Sequence, residues 1–210
     1  MRGLGEYLAG QGHTVLGLRL PAHATEPQAM LHSRWEDWLA AAEDGYHLLE
    51  NNVRQVIVLG LSLGGAIGLL LASSRPIAGV VAMSTPYEVP PQPRLRFLKA
   101  LLRPLGLLGR VMPFLPKLPP WDYRDREAAR NHLTYPVMPV RAITETARLL
   151  TVMRARLGEV RVPVLLMHSI HDGGVSPDNA RSIFERLGSA EKRLQWLENS
   201  GHVLTVEPAH

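Results

Sequence analysis

Three residues of this chain have the types and settings for nucleophilic chemistry: Ser62, Asp172 and His202. Ser62 interrupts the apolar run "QVIVLGLSLGGAIGLLLASS" (55–74), with Gly60 and Gly64 two residues away on either side and Gly65 following. Between a buried strand and an apolar helix, a G-x-S-x-G pattern makes a sharp turn that holds the serine hydroxyl exposed at the strand's carboxyl end. Side chains in place of the two flanking glycines are expected to meet neighbouring backbone. The helix opening at Leu63 turns its free backbone N–H groups towards the same point, which favours developing negative charge. A serine hydroxyl is a weak nucleophile until a base takes its proton, and the base needs an acid to orient it.

The two partners are expected on loops after later strands, in the order Ser, Asp, His. "VPVLLMHSIHDGGVSP" sets Asp172 just beyond a strand end, and "RLQWLENSGHVLTVE" sets His202 beyond the next one. The thirty residues between them hold one helix and one strand, the length that a crossover unit requires. Among the rivals, Asp178 or Ser176 suits the cap of the helix that starts near Pro177. His168 and His171 flank Asp172, but "HSIHD" does not carry the helical pairing of zinc enzymes, so no metal site is assigned. His202 also has a plain reading, as a surface histidine after Ser200-Gly201.

Strand-like stretches at 13–20, 56–61, 77–84, 162–169 and 193–198 must position these residues. Helical patterns at 2–11, 35–50, 63–74 and 177–188 lie between them. Such alternation predicts an α/β fold, a mostly parallel sheet with helices on both faces. It stops at residue 85. Residues 86–158 are rich in proline, show no convincing strand, and carry short helical stretches such as 94–103 and 140–157. The expected organisation is a first part of the core (1–85), a helical cap (86–158) and the rest of the core (159–210). "RFLKALLRPLGLLGRVMPFLP" (96–116) is apolar, basic and broken by Gly and Pro, and is read as an insertion closing over the sheet rather than a membrane-surface segment.

Bulk properties exclude several classes. With 46% hydrophobic and 20% charged residues, the 210-residue chain is an ordinary globular sequence with one well-buried core. No apolar stretch is long enough for stable membrane insertion. The net charge of +4 comes from scattered arginines, with lysine only at 99, 117 and 192, so no nucleic-acid partner is expected. There is no cysteine, which rules out disulfides and thiolate sites and points to a cytoplasmic home.

The sequence resembles the carboxylesterase and monoacylglycerol lipase branch of the α/β-hydrolase superfamily. Besides "GLSLGG", the resemblance is carried by "LGEYLAGQGHTVLGLRLPAH", "RWEDWLAAAEDGYHLL", "LTYPVMPVRAITETARLL" and the acid loop "VPVLLMHSIHDGGVSPDNA". It implies an α/β-hydrolase fold with Ser62 as nucleophile, Asp172 as acid and His202 as base, and the Leu63 N–H as an oxyanion donor. It implies no cofactor and a small-molecule ester as substrate, short- to medium-chain acyl esters and monoacylglycerols included. An apolar cap (Leu101, Leu105, Leu107, Leu108, Phe114) suits such substrates. The oligomeric state is left open.

The departures from the family are specific. Family members carry, ahead of the helix at residue 2, a strand ending in a His-Gly-aromatic loop that supplies half of the oxyanion hole. They also continue past the catalytic histidine into a final helix. Neither is found in these residues, so the expectation is a hydrolase chain lacking both ends. In "RLPAHA" (19–24), alanine stands where the family favours glycine at 22 and 24. The alternative expectation is therefore a truncated or non-catalytic hydrolase-like chain, inactive without the missing loop.

Overall fold

A computed structural model describes residues 1–89, 113–116 and 135–206. Helices α1 (Arg2–Gly10) and α2 (Trp35–Glu50) come first, followed by strand β1 (Ile57–Leu61), helix α3 (Leu63–Ala72) and strand β2 (Gly79–Met83). A short ribbon of β3 (Phe114–Pro116) and β4 (Val137–Pro139) leads into α4 (Val140–Arg156). Strand β5 (Val164–Ser169), helix α5 (Asp178–Arg186) and strand β6 (Lys192–Leu197) complete the described strands and α-helices, and short 3-10 turns lie at Pro27–Leu31 and Leu157–Glu159. The main sheet is parallel throughout, in the order β1-β2-β5-β6. Leu61 pairs with Met83, Met83 with Met167, and Ser169 with Leu197, so the carboxyl ends of all four strands open on one side.

The sequence of α3, LGGAIGLLLA, is apolar on every side, as expected of a helix buried all round. Residues Gly65 through Ala72 are all buried, and Leu69 and Leu71 are 0% and 2% exposed. Burying each such leucine is worth about 1.5–3 kcal/mol over leaving it in water. Helices α2 and α4 pack on α3 and contribute Trp38, Leu149, Leu150 and Met153 to the same core. The helix that carries the turn after Ser62 is thereby locked to the sheet from both sides.

Two expectations are corrected. Residues 13–20 form no strand: the stretch pairs with no described strand, and residues 13–19 are exposed. Apolar alternation alone does not make a strand, because the ladder needs a neighbour about 4.8 Å away. Residues 86–158 do contain strand, in the β3–β4 ribbon, where three-residue segments ending in proline are too short for a periodic signal. The helical stretch expected at 94–103 and Leu101, Leu105, Leu107 and Leu108 lie outside the described residues; Phe114 is half-buried on β3. Among the described residues, no helix is long and apolar enough to cross a membrane.

Candidate active site

Ser62 sits between β1 and α3 with φ 54° and ψ −116°, a left-handed backbone that only an over-determined turn keeps in a residue with a side chain. Its N–H donates to the Met83 carbonyl at 2.7 Å, and its carbonyl accepts from Gly65 and Ala66, so the turn is fixed on both sides. The glycines around it do unequal work. A Cβ on Gly60 would lie 2.2 Å from the backbone of Gly64, and one on Gly65 would lie 2.0 Å from Thr85 Oγ1. Gly64, expected to be crowded, would meet nothing within 4 Å among the described residues. The close approach is of Gly60 to the first turn of α3, and of α3 to the end of β2.

Asp172 follows β5 and is buried, 6% exposed. Its Oδ1 accepts from the N–H groups of Gly174 (2.9 Å) and Val175 (2.7 Å), which folds the chain back over the carboxylate. Its Oδ2 faces His202 Nδ1 at 2.9 Å and His168 Nε2 at 3.2 Å. Burial pushes this carboxyl up, but the hydrogen bonds from His168 and His202, the attraction of His202 and the Val175 N–H outweigh it. The net result holds Asp172 well below the usual carboxylate range.

His202 follows β6 on a loop tied to the end of β5. The Ser169 hydroxyl donates to the Ser200 carbonyl and accepts from the His171 N–H. The imidazole places Nδ1 on Asp172 and Nε2 3.1 Å from Ser62 Oγ. Ser62, His202 and Asp172 thus form one continuous chain of hydrogen bonds across 140 residues of sequence. Leu63 is the first residue of α3, so its N–H is among those without an intrahelical acceptor, directly after Ser62.

The rivals take other places. Ser176, not Asp178, reaches the start of α5, accepting from the Asp178 N–H at 3.4 Å. Asp178 is exposed and pairs with Arg181. His171 is exposed, while His168 is buried on β5, aimed at the carboxylate. Sequence reasoning missed Ser169 and the setting of His168; strand position was the available signal, since both end β5 just ahead of Asp172. Among the described residues no group of three His, Asp or Glu side chains is arranged to hold a metal ion.

Comparisons with known proteins place the chain in a family. The family model described as Hydrolase_4, serine aminopeptidase S33, matches residues 1–209. A thermostable monoacylglycerol lipase of Bacillus sp. (strain H-257) is 32% identical over 208 residues, covering 99% of this chain and 78% of that protein. A carboxylesterase of Bacillus subtilis (strain 168) is 24% identical over 99% of this chain and 80% of that protein. A solved structure from work on the metagenome-derived lipolytic enzymes LipS and LipT superposes with a TM-score of 0.87 at 32% identity, covering 98% of this chain and 80% of that one. The chain belongs to the Hydrolase_4 family of α/β hydrolases, in the carboxylesterase and monoacylglycerol lipase branch.

Proposed function

We propose that this chain is a serine hydrolase of carboxylic esters that works through an acyl-enzyme on Ser62. The observation that carries the reading is the relay Ser62 Oγ, His202 Nε2, His202 Nδ1, Asp172 Oδ2, with contacts of 3.1 and 2.9 Å. His202 Nε2 takes the Ser62 proton as Oγ bonds to the ester carbonyl carbon. The carbonyl oxygen becomes an oxyanion and accepts from the Leu63 N–H. Collapse breaks the bond to the alkoxide, which leaves with the proton from Nε2. Water then gives a proton to His202, attacks the acyl carbon and releases the acid, and the proton returns to Ser62 Oγ. Asp172 keeps Nδ1 protonated throughout and stabilises the imidazolium.

Esters are favoured as substrates because the two relatives reported above are named as a monoacylglycerol lipase and a carboxylesterase. Within that class, short- to medium-chain acyl esters and monoacylglycerols are the proposed substrates, bound under a cap formed from residues 86–158 between the core parts 1–85 and 159–210. The reading is tested by fluorophosphonate labelling followed by peptide mass spectrometry, alongside p-nitrophenyl ester, monoacylglycerol and aminoacyl p-nitroanilide turnover. A phosphonyl adduct on Ser62, absent from Ser62→Ala, with turnover of esters over anilides, is expected. A folded chain with no adduct would sink the acyl-enzyme and favour the non-catalytic alternative. Anilide turnover exceeding ester turnover would overturn the substrate class.

A further inference from the structure

His168 is a buried, ionisable side chain for which the relay has no step. It lies on β5, 1% exposed, its ring set edge-to-face 6.3 Å from Trp196. Its Nε2 is 2.9 Å from the Val175 carbonyl and 3.2 Å from Asp172 Oδ2. A carbonyl can only accept, so Nε2 carries a proton, and that one N–H is shared between two acceptors of the same loop. Oδ1 of Asp172 is already fastened by Gly174 and Val175, which leaves rotation about the carboxylate to be settled at Oδ2. There His168 stands beside His202, on the oxygen closest to its Nδ1.

We infer that His168 is a positioning residue: its shared Nε2–H clamps the Asp172 carboxylate to the Val175 turn and so fixes the face offered to His202. The inference rests on the esterase reading above for its kinetic consequence, but the clamp itself is a matter of geometry. A residue serving only to fill the core would put no donor on the carboxylate. Among the described residues, the titratable groups facing Asp172 are His168 from β5 and His202 from the loop after β6. His171 is exposed, and Arg181 of α5 lies over the Trp196 ring rather than on the carboxylate.

The test compares His168→Leu, which keeps the volume and loses the donor, with His168→Gln, whose amide restores one. Turnover of p-nitrophenyl butyrate is measured as kcat and KM, with the folded fraction of each variant set by circular dichroism. His168→Leu is expected to lower kcat about 10- to 100-fold, by analogy with the cost of removing a partner that orients a metal ligand. KM should stay within about twofold, because substrate binding is untouched. His168→Gln should keep kcat within about threefold, an amide N–H being an adequate donor.

Wild-type kcat in a folded His168→Leu protein would overturn the inference, as would equal impairment of both variants. A second readout does not need turnover: the His202 Nδ1–H resonance in 15N-histidine-labelled protein. It should be altered in His168→Leu and preserved in His168→Gln. If the wild type has no esterase activity but the resonance behaves so, the clamp stands and the proposed activity falls. If activity is present and the resonance is indifferent to both substitutions, the clamp falls alone.

Discussion

Ser62 and Asp172 are held in place by different means. The serine is fixed by backbone: a left-handed φ of 54°, a glycine that admits a close helix, and main-chain bonds to Met83, Gly65 and Ala66. The aspartate is fixed by donors converging on its side chain, two from the backbone of its own loop and two from imidazoles. A turn built on sterics tolerates no added atom at its crowded point. A carboxylate held by hydrogen bonds depends instead on its charge and on the donors around it. The two halves of the relay should therefore break under different kinds of substitution.

The largest expected effect is on the charged half. Asp172→Asn turns two acceptor positions into one and presents an amide NH2 to groups that are themselves donors. By the behaviour of such relays elsewhere, kcat should fall about 10⁴-fold while Ser62 and its turn stay in place. Stability should show the sign of the shifted carboxyl. Because Asp172 is held below the usual range, its contribution is complete above the unfolded-chain value of about 3.9 and is lost as pH falls towards the folded value. Thermal unfolding from pH 7 to pH 2 should show the wild type above Asp172→Asn at neutral pH and the gap closing below about pH 4. A gap that stays constant through acid would mean that the carboxylate's charge is not what holds the loop.

The steric half should fail at one glycine and tolerate change at another. Gly60→Ala sets a methyl 2.2 Å from the Gly64 backbone, where neither side can give without moving α3. A loss of about 3 kcal/mol, at the top of the overpacking range, is expected. Gly64→Ala meets open space and gains helix propensity, so its melting temperature should match or exceed the wild type. Equal effects at the two positions would show that the pattern's symmetry, rather than this one contact, sets the turn.

A smaller effect is expected where the two loops are joined. Ser169→Ala leaves the His171 N–H and the Ser200 carbonyl without the hydroxyl that links them. That should cost about 1–3 kcal/mol, the range for buried groups left unpaired. Amide exchange at His171 should quicken with it, and kcat should drop less than in Asp172→Asn. Unchanged exchange at His171 would argue that the loops are held independently.

What was legible in the sequence follows the same division. G-x-S-x-G could be read because the steric demand of a tight turn writes itself into residue type, and four of the five expected strands lie within two residues of their places. Asp172 and His202 could be read as positions after strands. The donors around Asp172 could not, because nothing in the letter His at 168 says whether the ring faces a carboxylate, a metal or the core. The stretch 13–20 misled for the converse reason: "HTVLGLRL" has the composition of a strand, and only a neighbour can make it one.

Ala22 and Ala24 test how far the steric half extends beyond Ser62. Both adopt left-handed φ, 64° and 51°, at the positions where glycine was expected from the family. The Ala22 carbonyl accepts from the Tyr135 hydroxyl at 2.8 Å, and Tyr135 in turn accepts from the Thr25 N–H, so this turn is tied to the segment entering β4. A left-handed alanine costs about 1–2 kcal/mol, which the hydrogen bonds must offset. Replacing either alanine by glycine relieves that cost but frees the unfolded chain, a loss of about 0.4–1 kcal/mol. The net expectation is a stabilisation of about 0–1.6 kcal/mol per site, read as a small rise in denaturation midpoint at constant m-value. A fall in the midpoint would mean that the turn is relaxed in solution, and that backbone strain in this protein is confined to the neighbourhood of Ser62.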